Sequence, residues 1–228
     1  MAMPTLVIGN KLYSSWSMRP WLLLKHLGIA FDEVLIPLDQ PDTKETILKH
    51  SPAGKVPILI DGDVTVWESL AIMDHAAEAY GAPVWPQESR ARAMARSVAA
   101  EMHAGFTALR GACPMNLGKK FAHRDRGAEV ARDVARVTQI WRDARARFGQ
   151  GGPFLFGAFS AADAMYAPVV TRLDTYSVPV EPDTRAYMDT ILQLPAFREW
   201  RAAALREAWI VAFDEVDEPP IEVYRQAA

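Results

Sequence analysis

Hydrophobic positions follow two different rhythms along the chain. Over residues 1–81 they come in short blocks broken by turn residues. Thr5–Ile8 is an apolar run closed by Gly9 and Asn10, the pattern of a buried strand. From about Trp16 the spacing becomes helical, with Trp21, Leu24 and Leu27 on one face and Gly28 as the stop. Phe31–Ile36 predicts a second strand closed by Pro37, and Asp42–His50 a short polar helix. Val56–Ile60 and Val64–Trp67 flank the turn Asp61-Gly62-Asp63 and predict a hairpin. Ser69–Tyr80 returns to helical spacing and Gly81 ends it. The order is βαβαββα, a parallel strand pair extended by an antiparallel hairpin.

Residues 82–88, with two prolines, read as a linker. Beyond it the strand rhythm nearly vanishes. Met94, Val98, Met102, Phe106 and Leu109 recur at three- and four-residue steps, as do Val130, Val134, Val137, Trp141, Ala144 and Phe148. Further helices are predicted from about Ser160 to Tyr176, Pro182 to Leu194 and Pro195 to Arg206. Long amphipathic helices on short loops pack as a bundle. The expected organisation is an α/β domain over 1–81 and an all-α helical bundle domain over 89–228.

Composition narrows the function classes. With 228 residues, half of them hydrophobic and 23% charged, the chain is globular. A formal charge of −3 gives no reason to expect nucleic acid as a partner. No apolar run nears the roughly 20 residues of a membrane helix, so no membrane partner is expected. The stretch from Met1 to Leu6 lacks the basic and apolar parts of a secretory signal. Cys113 is the one cysteine, so neither an internal disulfide nor a cysteine-based zinc site is available. His26, His50, His75, His103 and His123 show no metal spacing and read as surface or core residues, so no metal is expected. A cytoplasmic protein is the expectation.

Three segments carry candidate chemistry. Tyr13-Ser14-Ser15-Trp16-Ser17-Met18-Arg19-Pro20 follows the first strand and opens the first helix. One serine there caps a helix. Three, with free first-turn amides and a positive helix end, make an anion site. If the anion is a thiolate, a hydroxyl donor lowers the thiol pKa, and a two-unit drop is roughly 2.7 kcal/mol. In His50–Leu59, Pro57 stands at a strand start; a cis Val56–Pro57 bond would turn the Val56 backbone toward an extended peptide. In Trp67-Glu68-Ser69, Ser69 is placed to cap a helix whose amides would hold a carboxylate, while Glu68 takes an ammonium. Together these suit the free end of an amino acid.

Ser-Ser-x-Ser-x-Arg, then Ser-Pro-x-Gly-Lys-Val-Pro-x-Leu, then Glu-Ser-Leu-Ala-Ile, resembles the cytosolic glutathione S-transferases over nearly the whole chain. The serine form is similar to the zeta and tau classes; Trp16 and Met18 depart from the zeta pattern, which has cysteine and tryptophan there. The resemblance implies a thioredoxin-like glutathione-binding domain followed by an all-helical domain. It implies that Ser14, or its neighbour Ser15, donates to the glutathione sulfur. Lys55 would reach the glycyl carboxylate, Val56 before Pro57 would pair with the cysteinyl backbone, and Glu68 and Ser69 would take the γ-glutamyl end. It further implies a homodimer in which glutathione adds to a small electrophile, as in detoxifying conjugation. Tyr13 and Trp16 stand beside the serines and are candidates for the second-substrate pocket, as is Cys113, which reads equally as a small buried hydrophobe. Ser160 and Asp163 match the family's helix-capping box, a folding element. Two other outcomes fit the same motifs: a zeta-like cis-trans isomerase of the maleylacetoacetate type, which would need cations beside the sulfur beyond Arg19, and a non-catalytic scaffold.

Overall fold

The structure, a computed structural model, describes residues 3–225. The outer ends of the two expected domains, residues 1–2 and 226–228, lie outside the described residues, as does the start of the Met1 to Leu6 stretch.

The expected βαβαββα order is present: β1 (Thr5–Ile8), α1 (Ser15–His26), β2 (Asp32–Leu35), α2 (Thr43–Leu48), β3 (Ile58–Asp61), β4 (Val64–Trp67) and α3 (Ser69–Ala79). The strands form one sheet in the order β2-β1-β3-β4. β1 and β2 are parallel, with Thr5 opposite Asp32 and Ile8 opposite Leu35. β3 runs antiparallel to β1 and β4, so the hairpin extends the parallel pair as its sequence predicts. Alternation along β1 sends Leu6 and Ile8 into the main core and Val7 into a smaller one with Ile36, Ile47 and Ile58. α1 ends where Gly28 takes φ +69°, a conformation open to glycine, and Gly81 plays the same part after α3 at φ +59°.

The second half holds α4 (Ser89–Ala104), α5 (Thr107–Ala112), β5 (Lys119–Phe121), α6 (Ala128–Phe148), α7 (Ala161–Thr175), α8 (Pro182–Leu192), α9 (Pro195–Ala204) and β6 (Pro220–Val223). Two features differ from the expectation. The stripe from Met94 to Leu109 is two helices, because the chain turns at Gly105 and at Phe106, whose φ is +57°. A small antiparallel pair, β5 with β6, brings the C-terminal segment back across the bundle. Both arms of the capping box at Ser160 and Asp163 are present, as the sequence predicts.

The two halves share one core, which runs from Leu6 through α1 and α3 into α4, α6 and α7. Polar contacts fix their junction. Arg19 on α1, fully buried, donates from Nε to the Met165 carbonyl of α7 at 3.0 Å. Glu207 accepts from the Lys11 and Leu12 amides at 2.7 and 3.1 Å, and Trp200 Nε1 donates to the Lys11 carbonyl at 2.8 Å. The loop between β1 and α1 is therefore held from the helical side, which fixes where α1 begins.

Candidate functional site

Ser14 is the N-cap of α1. Its hydroxyl lies 2.8 Å from that of Ser17 in a hydrogen bond and also receives the Ser17 amide at a long 3.4 Å. Ser17 Oγ in turn accepts from the Gly9 amide at 3.0 Å. Ser15 occupies the first helical position and its carbonyl accepts from Arg19 Nη1 at 2.7 Å. Among the described residues neither the Ser15 hydroxyl nor the Trp16 amide makes a hydrogen bond, so the helix start keeps free donors. Arg19 sits behind this turn, and among the described residues no carboxylate lies within ion-pair distance of it. Burial, and then the neighbouring Arg172 and Arg110, push its pKa well down, which marks a desolvated cation that an anion would relieve.

The second and third segments meet the first across one cavity of about 260 Å³, to which the first segment contributes Trp16, while Ser14 and Ser15 are buried beside it and outside its lining. Its walls include Trp16, Lys55, Val56, Pro57, Glu68 and Ser69. The Val56–Pro57 peptide bond is cis, and the Val56 amide has no partner among the described residues. The start of α3 differs by one residue from the sequence expectation: Glu68 is the cap position and Ser69 the first helical residue. Glu68 has φ +69° and ψ 127°, a conformation rare outside glycine that costs of order 1–3 kcal/mol. It turns the chain so that the Ser69, Leu70 and Ala71 amides, unpaired among the described residues, form an open helix N-terminus. Ser69 is buried, its hydroxyl 3.9 Å from Met165 Sδ.

Two sequence candidates stand elsewhere. The Tyr13 hydroxyl donates to Glu215 Oε1 at 2.6 Å, and its ring lines a separate cleft with Ile210 and Val216. Burial and that bond raise its pKa far above the ordinary tyrosine range. Cys113 has no exposed surface, burial pushes its thiol up to about 11, and it is absent from the walls of the cavity.

Two residues from the helical half reach the cavity without a motif to announce them. His103 on α4 places Nε2 3.0 Å from Glu68 Oε2 and packs edge-on against Trp16 with ring centres 5.2 Å apart. Arg110 on α5 also packs on Trp16, its guanidinium carbon 4.8 Å from the ring centre. In sequence each merely follows a position of the apolar stripe, His103 after Met102 and Arg110 after Leu109. The described residues hold no group of three or more His, Cys, Asp or Glu side chains arranged for a metal, and no helix among them is long and apolar enough to cross a membrane.

Comparison with known proteins identifies this architecture. Residues 13–79 match the family model for the glutathione S-transferase N-terminal domain, and residues 127–203 that for the C-terminal domain. Among curated relatives, dichloromethane dehalogenase of Methylophilus leisingeri is 40% identical over 58 residues, 23% of this chain and 21% of that protein. Glutathione S-transferase F10 of Arabidopsis thaliana is 37% identical over 76 residues, 33% of this chain and 35% of that protein. The matched stretches thus span about a fifth and a third of these relatives. Among solved structures, a glutathione transferase homolog from Burkholderia gl BGR1 with bound glutathione superposes with a TM-score of 0.68 at 22% identity, covering 90% of this chain and 98% of that one. A tau class glutathione S-transferase from mango, Mangifera indica, gives 0.66 at 21%, covering 87% and 92%. Two matched domains in the right order, together spanning more than half of the 228 residues, show that this chain belongs to the glutathione S-transferase family.

Proposed function

We propose that the protein is a serine-type glutathione transferase, in which Ser14 holds the glutathione thiol as a thiolate for addition to a small electrophile. The observation that carries this reading is the single cavity shared by Lys55, Val56, Pro57, Glu68 and Ser69 beside the serine-rich start of α1. Glutathione offers a carboxylate at one end, a carboxylate and an ammonium at the other, and a thiol between them. Lys55 complements the glycyl carboxylate. The unpaired Val56 amide complements the cysteinyl carbonyl. Glu68 complements the ammonium, and the open N-terminus of α3 with Ser69 complements the γ-glutamyl carboxylate.

Deprotonation is the step the protein assists. The thiol proton leaves to solvent, and the sulfur anion is held by the Ser14 hydroxyl, the free Trp16 amide and the positive end of α1. Hydroxyl protons rotate, so either oxygen of the Ser14–Ser17 pair can supply the proton between them. With Ser17 donating to Ser14, the Ser14 proton is released toward the sulfur. Arg19, which has no carboxylate partner among the described residues, adds positive charge behind the turn. The thiolate then forms a carbon–sulfur bond with the electrophile, whose leaving group departs or whose carbanion takes a proton from solvent. Rate comes from thiolate fraction and proximity. A cytoplasmic homodimer is part of the same proposal, resting on the family resemblance.

The test is conjugation of glutathione to an aryl halide, followed for the wild type and Ser14→Ala at saturating glutathione. Turnover falling by one to two orders of magnitude with glutathione binding retained supports the reading. Equal turnover contradicts it.

A further inference from the structure

Arg110 is, among the described residues, an arginine without a carboxylate. It lines from α5 the same cavity that Glu68 and Ser69 line, and no Asp or Glu among the described residues stands within ion-pair distance. Its one side-chain hydrogen bond among them runs from Nη1 to the Gly105 carbonyl at 3.2 Å, which leaves most of the guanidinium fork unused. The side chain is partly withdrawn from solvent, and burial lowers its pKa.

Two chains of contact tie Arg110 to the Glu68 and Ser69 end. On one, Arg110 lies over Trp16, Trp16 meets His103 edge-on, and His103 pairs with Glu68. On the other, Arg19 lies 4.1 Å from the Trp16 ring centre and holds the Met165 carbonyl, and Met165 Sδ touches the Ser69 hydroxyl. Lys55 enters from the loop before β3 instead.

The γ-glutamyl end of glutathione carries a full negative charge on its α-carboxylate. An open helix N-terminus supplies only about half a unit of positive charge. We propose that Arg110 supplies the remainder, gripping the γ-glutamyl α-carboxylate against the Ser69, Leu70 and Ala71 amides, so that the helical domain reads the amino-acid end of the ligand. This rests on the glutathione reading of the cavity. A planar fork facing a carboxylate gives two parallel hydrogen bonds, which an ammonium in the same place does not. The guanidinium packs on the Trp16 ring, and that contact holds the fork without using its N–H donors.

The experiment is calorimetric titration of the full chain and its Arg110→Gln and Arg110→Lys variants, the first of which removes the charge while the second keeps it. Three ligands are compared: glutathione, its glycyl ethyl ester, and 4-aminobutyryl-cysteinyl-glycine, which lacks only the α-carboxylate. Arg110→Gln weakens glutathione and the glycyl ester alike, by about tenfold or more. The same substitution leaves the 4-aminobutyryl analogue within about twofold of the wild type, and Arg110→Lys falls between. If Arg110→Gln binds glutathione normally, or weakens the analogue as much as glutathione, the proposal is overturned. Unchanged glutathione affinity with a raised KM for an electrophile would assign Arg110 to the second substrate and overturn it too. A wild type that binds none of the three ligands removes the glutathione reading itself, a distinct result. Thermal melting of both variants guards against a folding defect, and Arg110→Lys alone carries the comparison if Arg110→Gln does not fold.

Discussion

The hydroxyls of Ser14 and Ser17 stand 2.8 Å apart, and Ser17 is anchored from behind by the Gly9 amide at 3.0 Å. Hydroxyl protons rotate, so Ser17 can donate to the Ser14 oxygen and leave the Ser14 proton for a ligand. The Ser15 hydroxyl, next in sequence, has no hydrogen-bond partner among the described residues. The pairing turns the choice between the two serines into a matter of mutation.

Ser14→Ala should raise the pKa of bound glutathione by about two units, a loss of roughly 2.7 kcal/mol of thiolate stabilisation. Ser17→Ala should produce a smaller shift in the same direction, because Ser14 is then free to rotate. Ser15→Ala should leave the thiolate nearly unchanged. Thiolate absorbance of the three complexes, titrated with base, checks the order. A large effect at Ser15 with none at Ser17 would transfer the role to Ser15.

Glu68→Ala should weaken glutathione binding about tenfold or more, since the ligand's ammonium loses a charged partner. Glu68→Gln should lose less. Stability should move the other way from affinity in a Glu68→Gly variant, which relieves the positive φ of +69° while deleting the carboxylate. Paired melting and binding curves test this, and a Glu68→Gly protein that binds as well as wild type would remove the carboxylate from the site.

Cys113 should resist alkylation in the folded protein. Its thiol is buried and pushed up to about 11, so at pH 8 on the order of one molecule in a thousand carries the reactive thiolate. Labelling should be slow natively and prompt in denaturant. Rapid native labelling that glutathione blocks would return Cys113 to the ligand site.

Asp163 should matter to folding and not to chemistry. Its carboxylate accepts from the Leu155 and Ser160 amides, the Ser160 hydroxyl and the Tyr187 hydroxyl, at 2.9 to 3.2 Å. Asp163→Ala leaves these donors buried without a partner and should cost about 2–4 kcal/mol, with glutathione affinity unchanged in the folded fraction. Burial outweighs those four bonds and pushes the carboxyl pKa up to about 6, above the ordinary aspartate range. The stability it confers is therefore full below about pH 4 and declines as pH rises through about 6. Asp163→Asn should flatten that slope in pH-dependent melting.

Much of this was legible in the sequence because it is local. The strand blocks, the glycines that end α1 and α3, and the box at Ser160 act within a few residues of themselves, so spacing alone reports them. The break at Phe106 did not show, since the apolar stripe continues through it and only a left-handed residue separates α4 from α5. Nor did β5 and β6, which pair Lys119 with Val223 across most of the bundle. The site divides in the same way. Ser14, Lys55, Val56 and Glu68 sit in recognisable segments, whereas His103 and Arg110 arrive at the cavity only because α1 packs against the helical half. Tyr13 is beside the serines in sequence and faces away from them, because Glu215 from the returning C-terminal segment holds its hydroxyl.

The most direct measurement is titration of the wild type with reduced glutathione while the thiolate absorbance of the bound ligand is followed across pH. Saturable binding, with the bound thiol ionising about two units below free glutathione, is the predicted result. Saturable binding with an unshifted thiol would contradict thiolate stabilisation by Ser14 and the start of α1, and absence of binding would contradict the glutathione site as a whole.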